Sequence, residues 1–327
     1  MDAYSLEPSF TVPRPVNFYN DESLLSRLVG CRTFLVHAGC RLATRPTDAK
    51  DVRMQPPAYS ALHISVTEHV ATVTLLDTGS KPSMGAAHFA ELPHACAWLD
   101  QDDDVRAVVI RGSGDDFSFG LDLVDMHPLL DLARPGAGAG ERQTFLRSIA
   151  ELQAAFSSVA TISKPVIAAV DGWCIGAGVD LISSVDVRLA TQRARFSVRE
   201  TRMAMVADLG SLQRLVGIIG DGHLRELVLT GRDVTADEAR QIGLVNRVHP
   251  DSEALHAAAA ELAQDMARNS PLVLAGIKEV LGQERETRVR TGLRFVAAWN
   301  AAFMPSDDLL EARNAFSERR APSFTGR

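Results

Sequence analysis

Residues 164–181, which read KPVIAAVDGWCIGAGVDL, decide the fold that we predict for this protein. Within this stretch, residues 165–170 (PVIAAV) form a short apolar run, which is typical of a strand buried on both faces. A turn of small residues follows, and a helix is expected to begin near Ala177. A buried strand that leads through a tight turn into a helix indicates an α/β protein with a largely parallel sheet.

The sequence on both sides of this stretch continues the alternation of strands and helices. Residues 61–66 and 70–76 alternate between apolar and polar positions and predict a hairpin that turns at Glu68 and His69. The other predicted strands cover residues 105–111, 185–190 and 244–248. The other predicted helices cover residues 84–99, 141–158, 252–269, 271–282, 287–303 and 307–316.

The chain is predicted to have three parts. Residues 1–56 carry many prolines and arginines, and we expect a loosely ordered extension or an over-long start, with Met54 as an alternative first residue. Their acidic residues argue against a transit peptide. Residues 57–251 form the predicted α/β core, and residues 252–327 form a C-terminal helical region. A capping box, Thr235 to Glu238, is predicted to open one helix of the core.

The charge and composition of the chain restrict the kinds of partner that we expect it to bind. The chain has 34 basic and 41 acidic side chains and a net charge of -7, so nothing in its charge favours a nucleic acid. An anionic ligand is compatible with this balance, because backbone N–H groups can bind one. The longest apolar stretch is interrupted by Asp171 and Asp180, so we expect no membrane span.

The cysteines give no sign of a metal site. Their spacing matches neither a C-x-x-C motif nor a zinc cluster, and we expect reduced thiols in a cytoplasmic protein without a metal. The four residues are Cys31, Cys40, Cys96 and Cys174.

Three carboxylates are the strongest candidates for chemistry. Asp180, Glu200 and Asp208 each stand among apolar residues, where an acidic group is unfavourable unless it is paired or functional. Burial would raise their pKa values and suit them to acid–base chemistry near neutral pH. The alternative is a structural role, in which they cap helices or pair with nearby arginines. Those arginines are Arg199, Arg202 and Arg214.

Two glycine-containing turns are candidates for ligand binding. In residues 115–125 (DDFSFGLDLVD), Gly120 lets the chain bend so that the N–H of Leu121 can face a ligand oxygen. In residues 172–181 (GWCIGAGVDL), the N–H groups at the start of the helix favour negative charge. The glycine spacing there does not match a dinucleotide-binding fingerprint. An ordinary loop is the alternative for the first turn.

Taken together, these segments resemble the crotonase (enoyl-CoA hydratase/isomerase) superfamily. Residues 117–123 (FSFGLDL) and 164–181 resemble its two oxyanion-hole loops, and residues 229–248 (LTGRDVTADEARQIGLVNRV) resemble the segment that follows its active site. The resemblance runs from about residue 59 to residue 324. It implies a spiral of repeated β-β-α units with a C-terminal helical region, assembled as a homotrimer or homohexamer.

The resemblance also implies the ligand and its contacts. An acyl-coenzyme A thioester would place its carbonyl between the N–H groups of Leu121 and Ala177, and no separate cofactor is implied. Family members often have glycine where Ala177 stands, and alanine keeps the N–H group. The coenzyme would run along the first loop, with a phosphate near a lysine of the helical region. The implied binding residues are Gly120, Asp122, Leu123, Gly178 and Lys278.

The acidic residues imply the type of reaction. Family hydratases have glutamates at the positions of Asp180 and Glu200 and a small residue at that of Asp208, so this sequence departs from them at two positions. Residues 197–215 (SVRETRMAMVADLGSLQRL) look like the dienoyl-CoA isomerase branch. We therefore expect Glu200 and Asp208 to form the acid–base pair and Asp180 to orient one of them or a water. The alternatives are a 2-enoyl-CoA hydratase and a non-catalytic crotonase-fold binding protein.

Overall fold

Six strands form the main sheet of the computed structural model, which describes residues 55–79 and 81–327. The first two strands pair antiparallel, and all the other neighbours in this sheet pair parallel. Glu68 and His69 join the first two, and both have positive φ, as a two-residue hairpin turn requires. In sheet order the strands are β1 (Leu62–Thr67), β2 (Val70–Leu75), β3 (Ala107–Gly112), β4 (Val166–Val170), β6 (Val187–Thr191) and β9 (Arg247–His249).

The chain also forms a second, smaller sheet, whose strands alternate in sequence with those of the first. It consists of β5 (Trp173–Ile175), β7 (Arg195–Ser197) and β8 (Val234–Thr235). β4 and β6 are each followed within a few residues by a strand of this smaller sheet and then by a helical turn. This succession is the β-β-α unit of the predicted spiral, and the prediction of an α/β fold with a largely parallel sheet is confirmed.

Helices connect the strands and form the C-terminal region. They are α1 (Ala86–Gln101), α2 (His127–Asp131), α3 (Ala139–Thr161), α4 (Ala177–Ser183), α5 (Ser211–Arg214), α6 (Val216–Thr230), α7 (Ala236–Gln241), α8 (Ser252–Ala267), α9 (Pro271–Phe303) and α10 (Asp307–Glu318). A 3-10 helix covers Glu200–Met203. Among the described residues, no helix is long and apolar enough to cross a membrane.

The sheet buries both of its faces, which explains the apolar run in β4. Val166, Ala168 and Val170 point into the main hydrophobic core, whereas Ile167 and Ala169 point into a second core on the other face. Helix α8 covers that second face with a stripe of small and branched residues at helical spacing. The stripe consists of Leu255, Ala259, Ala263 and Ala267.

Two predicted elements differ from the structure. The helices predicted at 271–282 and 287–303 are one helix of 33 residues, α9. The residues between them (QERE) contain no proline or glycine, and a single glycine, Gly282, costs only about 1 kcal/mol in a helix interior, which does not end the helix. The strand predicted at 244–248 begins later, at Arg247. Leu244 and Val245 are apolar because they pack in the main core.

The capping box is half confirmed. The hydroxyl of Thr235 accepts a hydrogen bond from the N–H of Glu238, but the Glu238 carboxylate pairs with Arg232 at 2.5 Å. The described residues form one compact unit, and the predicted domain boundaries stay predictions. The extension at 1–56 lies almost wholly outside the described residues, as do Cys31 and Cys40, while Cys96 and Cys174 are buried free thiols.

Candidate active site

The two glycine-containing turns lie against each other. Residues 117–118 run beside β5, where the N–H of Ser118 donates to the Trp173 carbonyl at 2.9 Å and the N–H of Ile175 donates back to Ser118 at 2.9 Å. Gly120 has φ +90°, and a Cβ there would lie 2.9 Å from the Ile175 carbonyl and 3.4 Å from the backbone nitrogen of Ala177. Only glycine fits so close an approach.

This contact leaves two backbone donors for a ligand. Ala177 is the first residue of α4, so its N–H has no partner inside the helix. Within the described part of the chain, neither this N–H nor that of Leu121 donates to another group. The N–H of Gly176 is used, because it donates to the Ser197 carbonyl at 2.9 Å. Both N–H groups that the sequence predicted as an oxyanion hole are therefore unused within the described residues, and their binding of one oxygen atom stays a prediction.

Asp180 is the most deeply buried of the three carboxylates. It lies in α4, has 1% of its surface exposed, and accepts a hydrogen bond of 2.6 Å from the backbone N–H of Ser211. Burial raises the pKa of Asp180 to about 6, against the lowering effects of the Ser211 hydrogen bond and of the nearby Arg214 charge. Of the three arginines considered as structural partners, Arg214 is the one whose charge bears on Asp180. Arg199 pairs with Asp233 instead, at 2.6 Å.

Glu200 lies beside the candidate oxyanion hole. It opens the 3-10 helix after β7, and its Oε1 atom would lie 3.3 Å from a Cβ placed on Gly176. Burial and the negative charge of Asp180 hold the pKa of Glu200 well above its usual range. The carboxyl groups of Glu200 and Asp180 lie close enough to act on each other's pKa. One proton between two such groups is favoured, because two negative charges would repel and only a protonated carboxyl group can donate a hydrogen bond.

Asp208 completes the group and is held by two amides. Its Oδ2 atom accepts a hydrogen bond of 2.7 Å from Asn300, and its backbone carbonyl accepts one of 2.7 Å from Gln153. Burial raises the pKa of Asp208 to about 7, and the charge of Asp180 adds to this effect. Glu200 and Asp208 keep some exposed surface as residues, but protein atoms surround their carboxyl groups. All three predicted acidic residues therefore belong to one electrostatically coupled cluster.

The other predicted binding residues have packing or capping roles in this chain. Asp122 caps its own turn by accepting hydrogen bonds from Val124 and Asp125 at 2.9 and 3.0 Å. Leu123 packs in a third apolar cluster with residues of α3 and α9. Gly178 faces Ser118, whose Cβ would be 3.2 Å from a Cβ at 178. These roles fix the shape of the two loops, and direct contacts with a ligand stay predictions.

Lys278 lies in an ion pair within the chain. Its Nζ atom lies 2.7 Å from Asp186 Oδ2 and donates to the Lys164 carbonyl at 2.9 Å. The pair ties α9 to the start of β4, where the N–H of Val166 donates to the same Asp186 oxygen at 2.8 Å. A phosphate ligand would have to replace this pairing, so the structure does not bring Lys278 to the site, and its predicted phosphate contact stays a prediction.

Sequence reasoning missed the amides that hold the carboxylates. Gln153 and Asn300 occupy positions in the buried stripes of α3 and α9. A signal was present, because each amide interrupts a run of apolar residues at helical spacing, such as Phe145, Ile149 and Phe156 around Gln153. A buried amide in such a stripe must have hydrogen-bond partners, but a single sequence does not say which ones.

A cavity of about 170 Å³ is lined in part by Asn300, the residue that donates to Asp208. It is bounded by the turn that joins Glu200 to Asp208 and by the end of α9. Its lining residues are Thr201, Ala204, Met205, Val206, Trp299, Asn300, Phe303 and Met304. A larger open depression of about 770 Å³ lies over the middle of α9. The linings of these two cavities include none of the three carboxylates.

Comparisons with known proteins show the family of this chain. The sequence profile of the enoyl-CoA hydratase/isomerase family matches residues 65–327. The chain is 40% identical over 237 residues to the peroxisomal Δ(3,5)-Δ(2,4)-dienoyl-CoA isomerase of Arabidopsis thaliana, which covers 72% of this chain and 85% of that protein. It is 37% identical over 266 residues to the mitochondrial enzyme of the same name from Dictyostelium discoideum, covering 81% of this chain and 91% of that protein.

A solved structure shows the same fold. The crystal structure of an enoyl-CoA hydratase/isomerase from Pseudoalteromonas atlantica superposes with a TM-score of 0.68 at 25% identity, covering 81% of this chain and all of the other. With the two loops, the free backbone donors and the carboxylate cluster, these matches place the chain in the enoyl-CoA hydratase/isomerase family.

Proposed function

We propose that the protein is a Δ3,5-Δ2,4-dienoyl-CoA isomerase of fatty acid metabolism. The observation that carries this proposal is the position of Asp208. It adds a third carboxyl group to the Asp180–Glu200 pair, and the charges of the three groups act on one another. Moving a double-bond pair along a conjugated chain takes a proton from one carbon and delivers one to a distant carbon. Two separate carboxyl groups suit that task.

The thioester carbonyl is proposed to bind between the N–H groups of Leu121 and Ala177. Loss of a proton from C2 turns this carbonyl into an enolate oxygen, and two preorganised donors stabilise the negative charge. One such donor typically contributes about 2.7–4 kcal/mol to lowering the barrier. The positive end of α4, which starts at Ala177, adds to this stabilisation.

Glu200 is proposed to act at C2. Its Oε1 atom lies next to Gly176, and Gly176 directly precedes Ala177, one of the two donors. C2 is bonded to the thioester carbonyl carbon, so a group beside the oxyanion hole is within reach of its hydrogen. Asp208 then serves C6, because it is the remaining carboxyl group that can hold a proton near neutral pH.

Asp180 is proposed to be the proton partner of Glu200. The two groups share one proton, and Glu200 can accept another from C2 only while that shared proton is on Asp180. Burial raises the pKa of Asp180 to about 6 and holds that of Glu200 well above its usual range, so the proton rests mainly on Glu200 at neutral pH and has to pass to Asp180 before Glu200 can act on C2. The pair therefore titrates as a unit rather than as two independent groups.

An ultraviolet assay tests the proposal. Purified protein is mixed with 3,5-octadienoyl-CoA and, separately, with crotonyl-CoA. The proposal predicts growth of the conjugated 2,4-dienoyl-thioester band with the first substrate, and loss of that activity in Asp208→Asn. Loss of the enoyl band with crotonyl-CoA and no dienoyl product would instead make the protein a 2-enoyl-CoA hydratase in which Asp180 and Glu200 hold the water.

A homotrimer or homohexamer is proposed from the resemblance and from the surface of α9. This helix exposes a row of large apolar residues, a feature that often marks a protein interface. They are Leu272, Val273, Ile277, Val280, Leu281, Phe295, Trp299 and Phe303. Sedimentation velocity of the purified protein tests the assembly, and a monomer at micromolar concentration would contradict it. The cytoplasmic location stays a prediction.

A further inference from the structure

Asn300 is a buried amide on α9 with no role in the chemistry described so far. Only 2% of its surface is exposed, and it is surrounded along the helix by the buried residues Val296, Ala297 and Ala301. A polar side chain is unfavourable in such a place unless its hydrogen bonds are made. Its position therefore has to be explained by its partners.

Both hydrogens of the Asn300 amide are used. The Nδ2 atom donates to Asp208 Oδ2 at 2.7 Å and to the Val206 carbonyl at 2.8 Å. A backbone carbonyl can only accept, so the NH₂ end of the amide must face Val206. The same NH₂ group then faces Asp208, and the orientation of the amide is fixed by this pair of contacts.

This geometry makes the two oxygens of Asp208 unequal. Oδ2 accepts a hydrogen bond from Asn300, and an oxygen that accepts such a bond is a poorer place for a proton. When Asp208 is in its acid form, the proton is therefore favoured on Oδ1. That is the oxygen to which Asn300 does not donate.

The groups around Asp208 come from four elements. Asp180 of α4 and Glu200 of the 3-10 helix are the titratable groups that act on it. Asn300 of α9 and Gln153 of α3 contribute neutral amides. Gln153 donates to the Asp208 carbonyl and to the Leu293 carbonyl, at 2.7 and 3.1 Å, so it holds the backbone of Asp208 and not its carboxyl group.

We propose that Asn300 is a positioning residue for the isomerase reaction, which binds Asp208 Oδ2 and leaves Oδ1 to carry the proton for the acyl chain. The inference rests on the proposed function, because it assigns a use to the proton on Asp208. It links the C-terminal helix α9 to the second proton transfer. Gln153 offers a matched comparison, since it is also a buried amide bonded to Asp208.

The test is the pH profile of kcat/KM for 3,5-octadienoyl-CoA in Asn300→Leu and Gln153→Leu. Asp208 has to be protonated to deliver a proton, so activity falls as the pH rises through its pKa. Asn300→Leu removes a hydrogen bond that favours the charged form of Asp208, so the pKa of Asp208 rises. The alkaline limb of the profile, where activity falls with rising pH, therefore moves upward by about one to two pH units. Gln153→Leu lowers the rate but leaves the limb in place, because its bond is to the carbonyl.

Two outcomes overturn the inference. One is an Asn300→Leu enzyme with native circular dichroism, a lower rate and an unmoved alkaline limb, which would make Asn300 a packing residue. The other is an equal shift in both variants. If Asn300→Leu does not fold, the smaller Asn300→Ala is used, and the loss of the same hydrogen bond must also move the limb upward. Wild-type protein that does not convert the dienoyl substrate would overturn the proposed function itself, whereas an active wild type with an unmoved limb overturns only this inference.

Discussion

Glu200 Oε1 lies 3.3 Å from the point that a Cβ on Gly176 would occupy. The proposed general base and the turn that carries the proposed oxyanion hole are therefore close together, and a Cβ at position 176 would require the Glu200 carboxyl group to shift. The backbone of Gly176 agrees with this constraint, because its φ of 52° and ψ of -118° lie in a region that other residues rarely adopt. This contact sets the distance between the carbonyl site and the group that acts on C2.

Gly176→Ala is predicted to impair both folding and catalysis. The new Cβ would strain the backbone by about 1–3 kcal/mol and push the Glu200 carboxyl away from C2, so kcat should fall by more than tenfold. Gly178→Ala is the control, because its Cβ would meet Ser118 at 3.2 Å without a positive φ. Thermal melts and dienoyl-CoA turnover check both variants. A Gly176→Ala enzyme with wild-type kcat would contradict the proposed contact.

Asp208 is predicted to make the protein less stable as the pH rises. Its pKa is raised from 3.8 to about 7 by burial, so the folded state favours its acid form more than the unfolded state does. Its contribution to stability is fully present below pH about 4 and is lost as the pH rises to about 7. Asp208→Asn removes this dependence and should gain stability relative to wild type between those values. The melting temperatures of both proteins are measured across this pH range. If the two temperatures change with pH in the same way, the prediction is wrong.

The cavity beside Asn300 is predicted to hold the acyl chain beyond C6. Met205 and Val206 line it and directly follow the turn that carries Glu200. Met205→Trp would fill the space and lower kcat/KM for long-chain dienoyl thioesters, by about fourfold for each methylene that loses its place, while a substrate that ends near C6 is affected little. Rates measured over a series of chain lengths test this, and an equal loss at every length would place the tail elsewhere.

The elements that the sequence predicted best are those with strong local signals. The apolar run of β4 and the glycine turn before Ala177 depend on short-range patterns, and both were located within a residue or two. The single helix α9 was divided in two because Gly282 was interpreted as a break, whereas one glycine costs only about 1 kcal/mol in a helix interior. The ion pair of Lys278 with Asp186 was not predicted, because the two residues are 92 positions apart in sequence.

Contacts between residues far apart in sequence also limited what could be predicted about the site. Asp180, Glu200 and Asp208 were identified because acidic residues are rare among apolar ones. Their order of burial and the proton shared by Asp180 and Glu200 depend on contacts between distant segments. Asn300 was missed for this reason, because its bond to Asp208 spans 92 residues.

Deuterium exchange is the measurement that best separates the proposed roles of Glu200 at C2 and of Asp208 at C6. A 3,5-dienoyl-CoA is incubated in D₂O with Glu200→Gln or Asp208→Asn, and label at C2 and C6 is followed by NMR. We expect Asp208→Asn to exchange hydrogen at C2 while forming little 2,4-dienoyl product, and Glu200→Gln to do neither. Exchange at C2 that survives in Glu200→Gln and is lost in Asp208→Asn would reverse the two assignments.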